Sequence, residues 1–250
     1  MRFAFTEEQD ELRRQARALL DEREPTWAEL AELGWLGVSV PEEAGGAGLG
    51  FVEEAVLFEE LGRALYPGPY FATVGVALPQ LSLDEQALVA RGERKYEEDE
   101  VSLDGPLTRT RAFAALAAEA VGIAQKALEL AVDYAGTREQ FGKPIGIYQA
   151  VSHPIVDTYV ETELARSLTY WAAWCVAEDD EQATMAALAA KSCAAGAAVA
   201  ACERSIQVHG GIGFTWEHPL HRYYKRAQRI EAFGGYPAKQ RAEIAATLLA

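Results

Sequence analysis

Residues 108–136, 151–177 and 181–208 repeat apolar side chains at helical spacing, and they limit what this chain can become. The first carries Phe113, Leu116, Val121, Ile123, Leu128 and Val132. The second carries Tyr159, Leu164, Leu168, Trp171 and Trp174. The third is largely alanine, whose small side chain lets neighbouring helices approach closely, so it is expected at the centre. Shorter helices are expected over 217–230 and 237–249. Long helices joined by short loops predict an up-down four-helix bundle. No stretch alternates as a strand would, and the fold class is all-α.

The N-terminal part is also helical in pattern. Thr6 precedes acids and Gln9, the signature of a capped helix start, and Leu12, Ala16, Leu19 and Leu20 follow on one face. A short helix over 27–33 ends at Gly34. Residues 36–41 read as a short extended piece. The glycine run 45–50 invites a dinucleotide-binding reading, but its spacing is GxGxG rather than GxGxxG and no βαβ unit surrounds it. A connection between helices fits better. Residues 51–65 form an amphipathic helix with Val56, Leu57, Glu60 and Leu61; Pro67 and Pro69 break it, and 70–78 is helical again. From 79 to 106 the character changes: 84–87 can make a short helix, and the charge run 93–100 reads as a solvated turn or hairpin. The expected organisation is an N-terminal helical domain over 1–78, a linker over 79–106 and a C-terminal bundle over 107–250.

Composition narrows the function classes. Half of the 250 residues are hydrophobic, and 38 acidic against 23 basic residues give a net charge of −15. Such a surface repels phosphate, which argues against nucleic acid or an anionic membrane as partner. Cys175, Cys193 and Cys202 are an odd set with no CxxC spacing and read as buried free thiols, which places the chain in a reducing, cytoplasmic compartment. No metal-ligand spacing is present; His218 and His221 lack acidic or Cys neighbours. The charged, amphipathic N-terminus is no signal peptide. The apolar run 186–202 is broken by Lys191 and reads as a buried helix rather than a membrane span.

Two polar stretches do not belong to a core. One is YAGTREQFGKPIGIYQ, 134–149; the other is QVHGGIGF, 207–214. Arg138 carries a planar, permanent charge suited to a pyrophosphate. Phe141 offers a face to an aromatic ring. Gly142 and Pro144 fix a turn. Gln207, Gly210 and Gly211 end a helix in a loop whose missing side chains leave room for a ligand. The plainer alternative is a helix stop with a salt-bridged arginine.

These stretches, with FTEEQDELRRQAR, LGWLGVSVPEEAGGAGLGF and EEAVLFEELGRAL before them and SIQVHGGIGFTWEHPLHRYYKRAQ after, resemble the acyl-CoA dehydrogenases, flavoproteins that oxidise acyl-CoA thioesters to 2-enoyl-CoA. The resemblance implies an N-terminal helical domain and a C-terminal four-helix bundle. The middle β-barrel is absent or vestigial, because about 30 residues stand where the family carries a whole domain. The resemblance also implies FAD: residues matching Arg138, Gln140, Phe141, Gln149, Gln207 and Gly211, with Gly210 in the same loop, contact its ADP half, and that FAD is held mainly by a neighbouring subunit.

The family removes an acyl-CoA α-proton with a glutamate while hydride leaves Cβ. Aligned on Gln240–Arg241, the base position holds Gly234; the position used by other members, aligned on Ala120–Gly122, holds Ala112. Neither accepts a proton. Glu119 and Glu231 are substitutes to test, His209 a weaker one. The expectation is a subunit that is non-catalytic alone and lends an ADP-binding edge to a full-length partner for α,β-dehydrogenation of an acyl-CoA. The alternatives are a self-sufficient homo-oligomer with a relocated base and a non-enzymatic helical scaffold.

Overall fold

The computed structural model describes residues 4–249. Nine α-helices occur among them: α1 Glu7–Glu22, α2 Trp27–Glu32, α3 Phe51–Ala64, α4 Leu83–Ala90, α5 Pro106–Thr137, α6 Gln149–Ala177, α7 Ala183–His209, α8 Leu220–Ala232 and α9 Pro237–Leu248. The only strands among the described residues are β1 Glu139–Gln140 and β2 Lys143–Pro144. The fold is all-α, with no barrel among the described residues.

Local signals act where the sequence places them. The Thr6 hydroxyl accepts the Gln9 amide at 3.2 Å, and the Gln9 side chain accepts the Thr6 amide at 3.0 Å, satisfying two otherwise orphaned donors at the start of α1. Gly34, in the left-handed region, ends α2. In the bundle, α7 packs against α5, α6, α8 and α9. Its alanines allow this central place. By length and composition α7 could cross a membrane, but 67% of its apolar window is buried inside the fold.

Helix α3 joins the N-terminal helices to the bundle, packing against α1, α5 and α6. Its crossing with α5 is backbone on backbone: a β-carbon on Gly62 would lie 2.3 Å from the Glu119 carbonyl oxygen, and one on Gly122 would lie 1.9 Å from that of Glu59. Around this crossing α3 buries carboxylates, each met by a cation. Glu54 binds Arg111, Glu60 binds Arg17 at 2.7 Å, and Glu59 holds Arg166 at 3.0 Å and the Tyr170 hydroxyl at 2.6 Å. Burial pushes the Glu54 carboxyl up, with the Arg111 charge opposing it. Removing one partner from such a pair leaves an uncompensated buried charge, which costs about 3–5 kcal/mol.

The structure corrects several expectations. Residues 36–41 are not extended: Trp35–Gly37 is a 3₁₀ turn, and the Gly37 carbonyl accepts the amides of Val40 and Ala47. With no strand to pair, these backbone groups are satisfied in turns. Phe71–Ala77 is helical but in π register and wholly buried. The short helix near 84–87 is the longer α4, with Val89 and Ala90 buried. Of the two readings of 93–100, the hairpin does not form; the run is a largely exposed one that ends in the 3₁₀ turn Glu98–Glu100. Two tethers hold it: the Thr73 hydroxyl accepts the Tyr96 amide at 2.9 Å and donates to its carbonyl at 3.1 Å, and Glu98 pairs with Arg229. Helix α8 begins at Leu220 rather than 217, because Pro219 serves as its N-cap.

Candidate functional site

Helix α5 stops at Thr137, where the Arg138 amide still bonds the Tyr134 carbonyl at 2.8 Å while Arg138 itself turns extended. A two-residue hairpin follows, with Glu139 opposite Pro144 and Gln140 opposite Lys143. Its loop is Phe141–Gly142, at φ 54° and 73°. Two successive positive φ values define the turn whose twist suits a tight hairpin. Glycine takes that conformation freely, whereas a phenylalanine there is strained. Phe141 is nevertheless 91% exposed, with only an edge-on contact to Tyr148 at 6.4 Å between ring centroids. The Tyr148 hydroxyl donates to the Gln140 carbonyl at 3.2 Å and braces the hairpin over the start of α6, where Gln149 is exposed. Arg138 and Gln140 are exposed too, and Arg138 makes no ion pair among the described residues, so the salt-bridged helix stop does not occur.

The second stretch meets the first. Helix α7 ends at His209, whose ring stacks on Tyr134 at 4.4 Å and 25°, four residues before Arg138. Gln207 is exposed on the last turn of α7. Gly210 follows at φ 60°, and a β-carbon on Gly210 or Gly211 would meet nothing of this chain within 4 Å. Arg138, Gln140, Phe141 and Gln149 therefore share one end of the bundle with Gln207, Gly210 and Gly211. This open, cation-bearing edge with an exposed aromatic face fits an ADP moiety. The flavin ring is a different matter: no barrel wall stands against this edge to hold one.

The would-be base position is at the other end. Ala112 is fully buried near the start of α5. At 1.5 Å per residue it lies about 39 Å along the helix axis from Arg138. Gly234, in the α8–α9 turn at φ 67°, faces Phe113: a β-carbon there would come within 2.5 Å of the ring. Glu119 is buried and bonded to Arg226 at 2.5 Å. It lines a cavity of about 10 Å³, room for at most one water. Glu231 is half-buried, and its carbonyl accepts the Lys191 ammonium at 2.9 Å. Lys191, with no exposed surface, also donates to the Gly235 carbonyl at 2.7 Å. Burial lowers its pKa to about 8.

Three features escaped the sequence reading. Phe113 fills the space beside Gly234, the α3 carboxylates are buried, and Lys191 holds the α8–α9 turn. The last two had a signal: charges on an otherwise apolar helical face. The three cysteines are free, with Cys175 and Cys202 buried and Cys193 half-buried; burial pushes the Cys202 thiol up to about 12. No cluster of three or more His, Cys, Asp or Glu that could hold a metal occurs among the described residues. Along α6, Val156, Tyr159, Val160 and Leu164 leave an exposed apolar stripe at helical spacing.

Comparison with known proteins places this geometry. The chain is 34% identical to "Acyl-CoA dehydrogenase IpdE2" of Mycobacterium tuberculosis over 261 aligned positions, covering 82% of this chain and 80% of that one. It superposes on a variant of the Tcur3481–Tcur3483 steroid ACAD with a TM-score of 0.84 and 26% identity, covering 97% and 98% of the two chains. It shares the fold of a chain of the ChsE4–ChsE5 complex from Mycobacterium tuberculosis, with a TM-score of 0.85, 22% identity and coverage of 100% and 99%. Residues 6–83 match the model for the acyl-CoA dehydrogenase N-terminal domain, and residues 104–249 match that for the C-terminal domain. The chain belongs to the acyl-CoA dehydrogenase family.

Proposed function

We propose that this chain is an acyl-CoA dehydrogenase-like subunit that is non-catalytic alone and completes the FAD site of a full-length partner of the same family. The family is FAD-dependent. FAD, when bound, supplies the hydride acceptor. The chain's own residues bind and orient its ADP half: Arg138 meets the pyrophosphate, Phe141 stacks on the adenine, and Gln140, Gln149 and Gln207 donate or accept around it. Gly210 and Gly211 let the backbone approach. The partner supplies the flavin wall and the base, and the pair carries out α,β-dehydrogenation of an acyl-CoA.

One observation carries this reading. The ADP-binding edge and the base position stand at opposite ends of α5, about 39 Å apart, too far for one cofactor to reach both. The edge therefore serves a site completed by another subunit. That the partner is unlike this chain is supported by Gly234 beside Phe113, by buried Ala112, and by Glu119 held by Arg226; none offers a free carboxylate to a substrate. The apolar stripe on α6 gives the partner a surface to cover. The names Tcur3481–Tcur3483 and ChsE4–ChsE5 each pair two chains, which supports the same arrangement here. A cytoplasmic setting fits the three free cysteines.

The test is co-purification. The chain alone is expected to be colourless and to gain an FAD spectrum only when co-expressed with a larger family member. A yellow, dehydrogenase-active homo-oligomer of this chain would overturn the proposal, and a chain that takes part in no FAD-binding complex would point to a scaffold.

A further inference from the structure

Two histidine rings meet, with a third histidine bonded beside them, where the two halves of the proposed ADP edge join. His209, the last residue of α7, lies between Tyr134 at 4.4 Å and His218 at 4.4 Å. Its Nδ1 is 2.8 Å from the Ser205 carbonyl, so that nitrogen carries the proton and donates. His218 is the reverse case. Its Nδ1 accepts the amide of Leu220, the first residue of α8, at 3.3 Å, so that nitrogen must be bare. The His221 Nδ1 lies 2.8 Å from the His218 carbonyl, and its ring sits against Trp216. The stack thus bridges the root of the hairpin, the root of the glycine loop and the start of α8.

The arrangement requires a neutral His218. A proton on Nδ1 would remove the acceptor that satisfies an orphaned helix amide and would put a cation at the positive end of α8. The titratable groups facing the ring are His209 from α7, His221 from α8 and Tyr134 behind His209. None of the three histidines makes an ion pair with a carboxylate among the described residues. Lys225, over the Trp216 ring, adds further positive charge nearby.

We infer that protonation of His218 breaks this stack and loosens the Gly210–Phe214 loop, so that the chain grips a dinucleotide at neutral pH and releases it in acid. The consequence for the dinucleotide rests on the function proposed above; the coupling within the chain does not. Burial, then His209, then His221 lower the His218 pKa. The sign follows: below 6.5 the opened loop takes up a proton that the closed ring refuses, so acid favours opening.

The test is an NMR titration of the isotope-labelled full chain from about pH 8 to about pH 5. His218 is expected to titrate below 6.5, with the Gly210 and Gly211 amides following at the same midpoint. In H218N, whose side-chain oxygen still accepts the Leu220 amide, those glycine amides are expected to stay flat. His218 titrating at or above 6.5, or glycine amides unmoved while it titrates, would overturn the coupling. In the co-expressed complex, FAD loss at the same midpoint supports the release. FAD retention unchanged across the range, in a complex whose FAD is weakened by R138A, overturns the release while leaving the proposed function intact. A complex that binds no FAD at any pH overturns the proposed function, and the glycine amides alone then decide the coupling.

Discussion

The ring of Phe113 fills the space into which any side chain at Gly234 would have to grow, with Cε1 2.5 Å from the place of a β-carbon. Restoring a carboxylate at this position therefore restores no chemistry. G234E is expected to show no dehydrogenation of acyl-CoA and to lower stability by at least about 1–3 kcal/mol, through overpacking and through strain at a positive φ. Urea unfolding checks the stability. If the ring is the obstacle, the loss in F113A/G234E should be smaller than the sum of the losses in F113A and G234E.

The Arg138 side chain makes no hydrogen bond or ion pair among the described residues; only its backbone is bonded, and R138A keeps that. R138A is expected to leave unfolding free energy within about 0.5 kcal/mol of the parent. It should weaken FAD retention by the complex by about 1.5–3 kcal/mol, the worth of a charge-assisted bond. Fluorescence titration of the FAD-stripped complex measures it. An unchanged affinity removes Arg138 from the site.

The crossing of α3 and α5 tolerates no methyl group. G122A would place a carbon 1.9 Å from the Glu59 carbonyl oxygen, and backbone cannot swing aside as a flexible side chain can. The expected loss is about 3 kcal/mol or more, the upper range for overpacked cores. At this chain length each kcal/mol lowers Tm by about 2–4 °C, so calorimetry should show a clear drop.

Lys191 makes stability depend on alkaline pH. Its folded pKa is about 8 against an ordinary 10.5. Between those values the unfolded chain still holds the proton and the folded chain does not, so stability rises with pH there. Below about 8 both states are charged and the full cost of the buried ammonium remains. Urea unfolding of wild type and K191M across this window should show the difference moving in favour of wild type as pH rises. Parallel profiles would remove the buried ammonium as the cause.

Much of the fold is written locally. The Thr6 cap, the Gly34 stop and the periodic runs of α5, α6 and α7 each depend on residues within a few positions of one another, and they are where the sequence puts them. The turn at Phe141–Gly142 was legible from its glycine; the strain on Phe141 was not, because nothing in the letters sets φ at the residue before. Residues 36–41 misled because buried Trp35, Leu36 and Val38 look like a strand until one asks what would pair with it. The site's decisive contacts are long-range. Phe113 reaches Gly234, Tyr134 reaches His209, and Glu59 reaches Arg166 and Tyr170, each across more than a helix of intervening chain. Lys191 and the α3 carboxylates left a trace in the sequence, as charges on otherwise apolar helical faces, but not their partners.

The backbone contact of Gly62 with Glu119, and of Gly122 with Glu59, has a consequence for how such a chain could arise. It welds α3 directly to α5, with no mediation by the segment between α4 and α5. A module inserted at that point could be lost or gained without parting this crossing, because neither helix depends on it for the contact. On the function proposed above, a chain shortened in this way would remain a stable body and keep the edge that faces a partner.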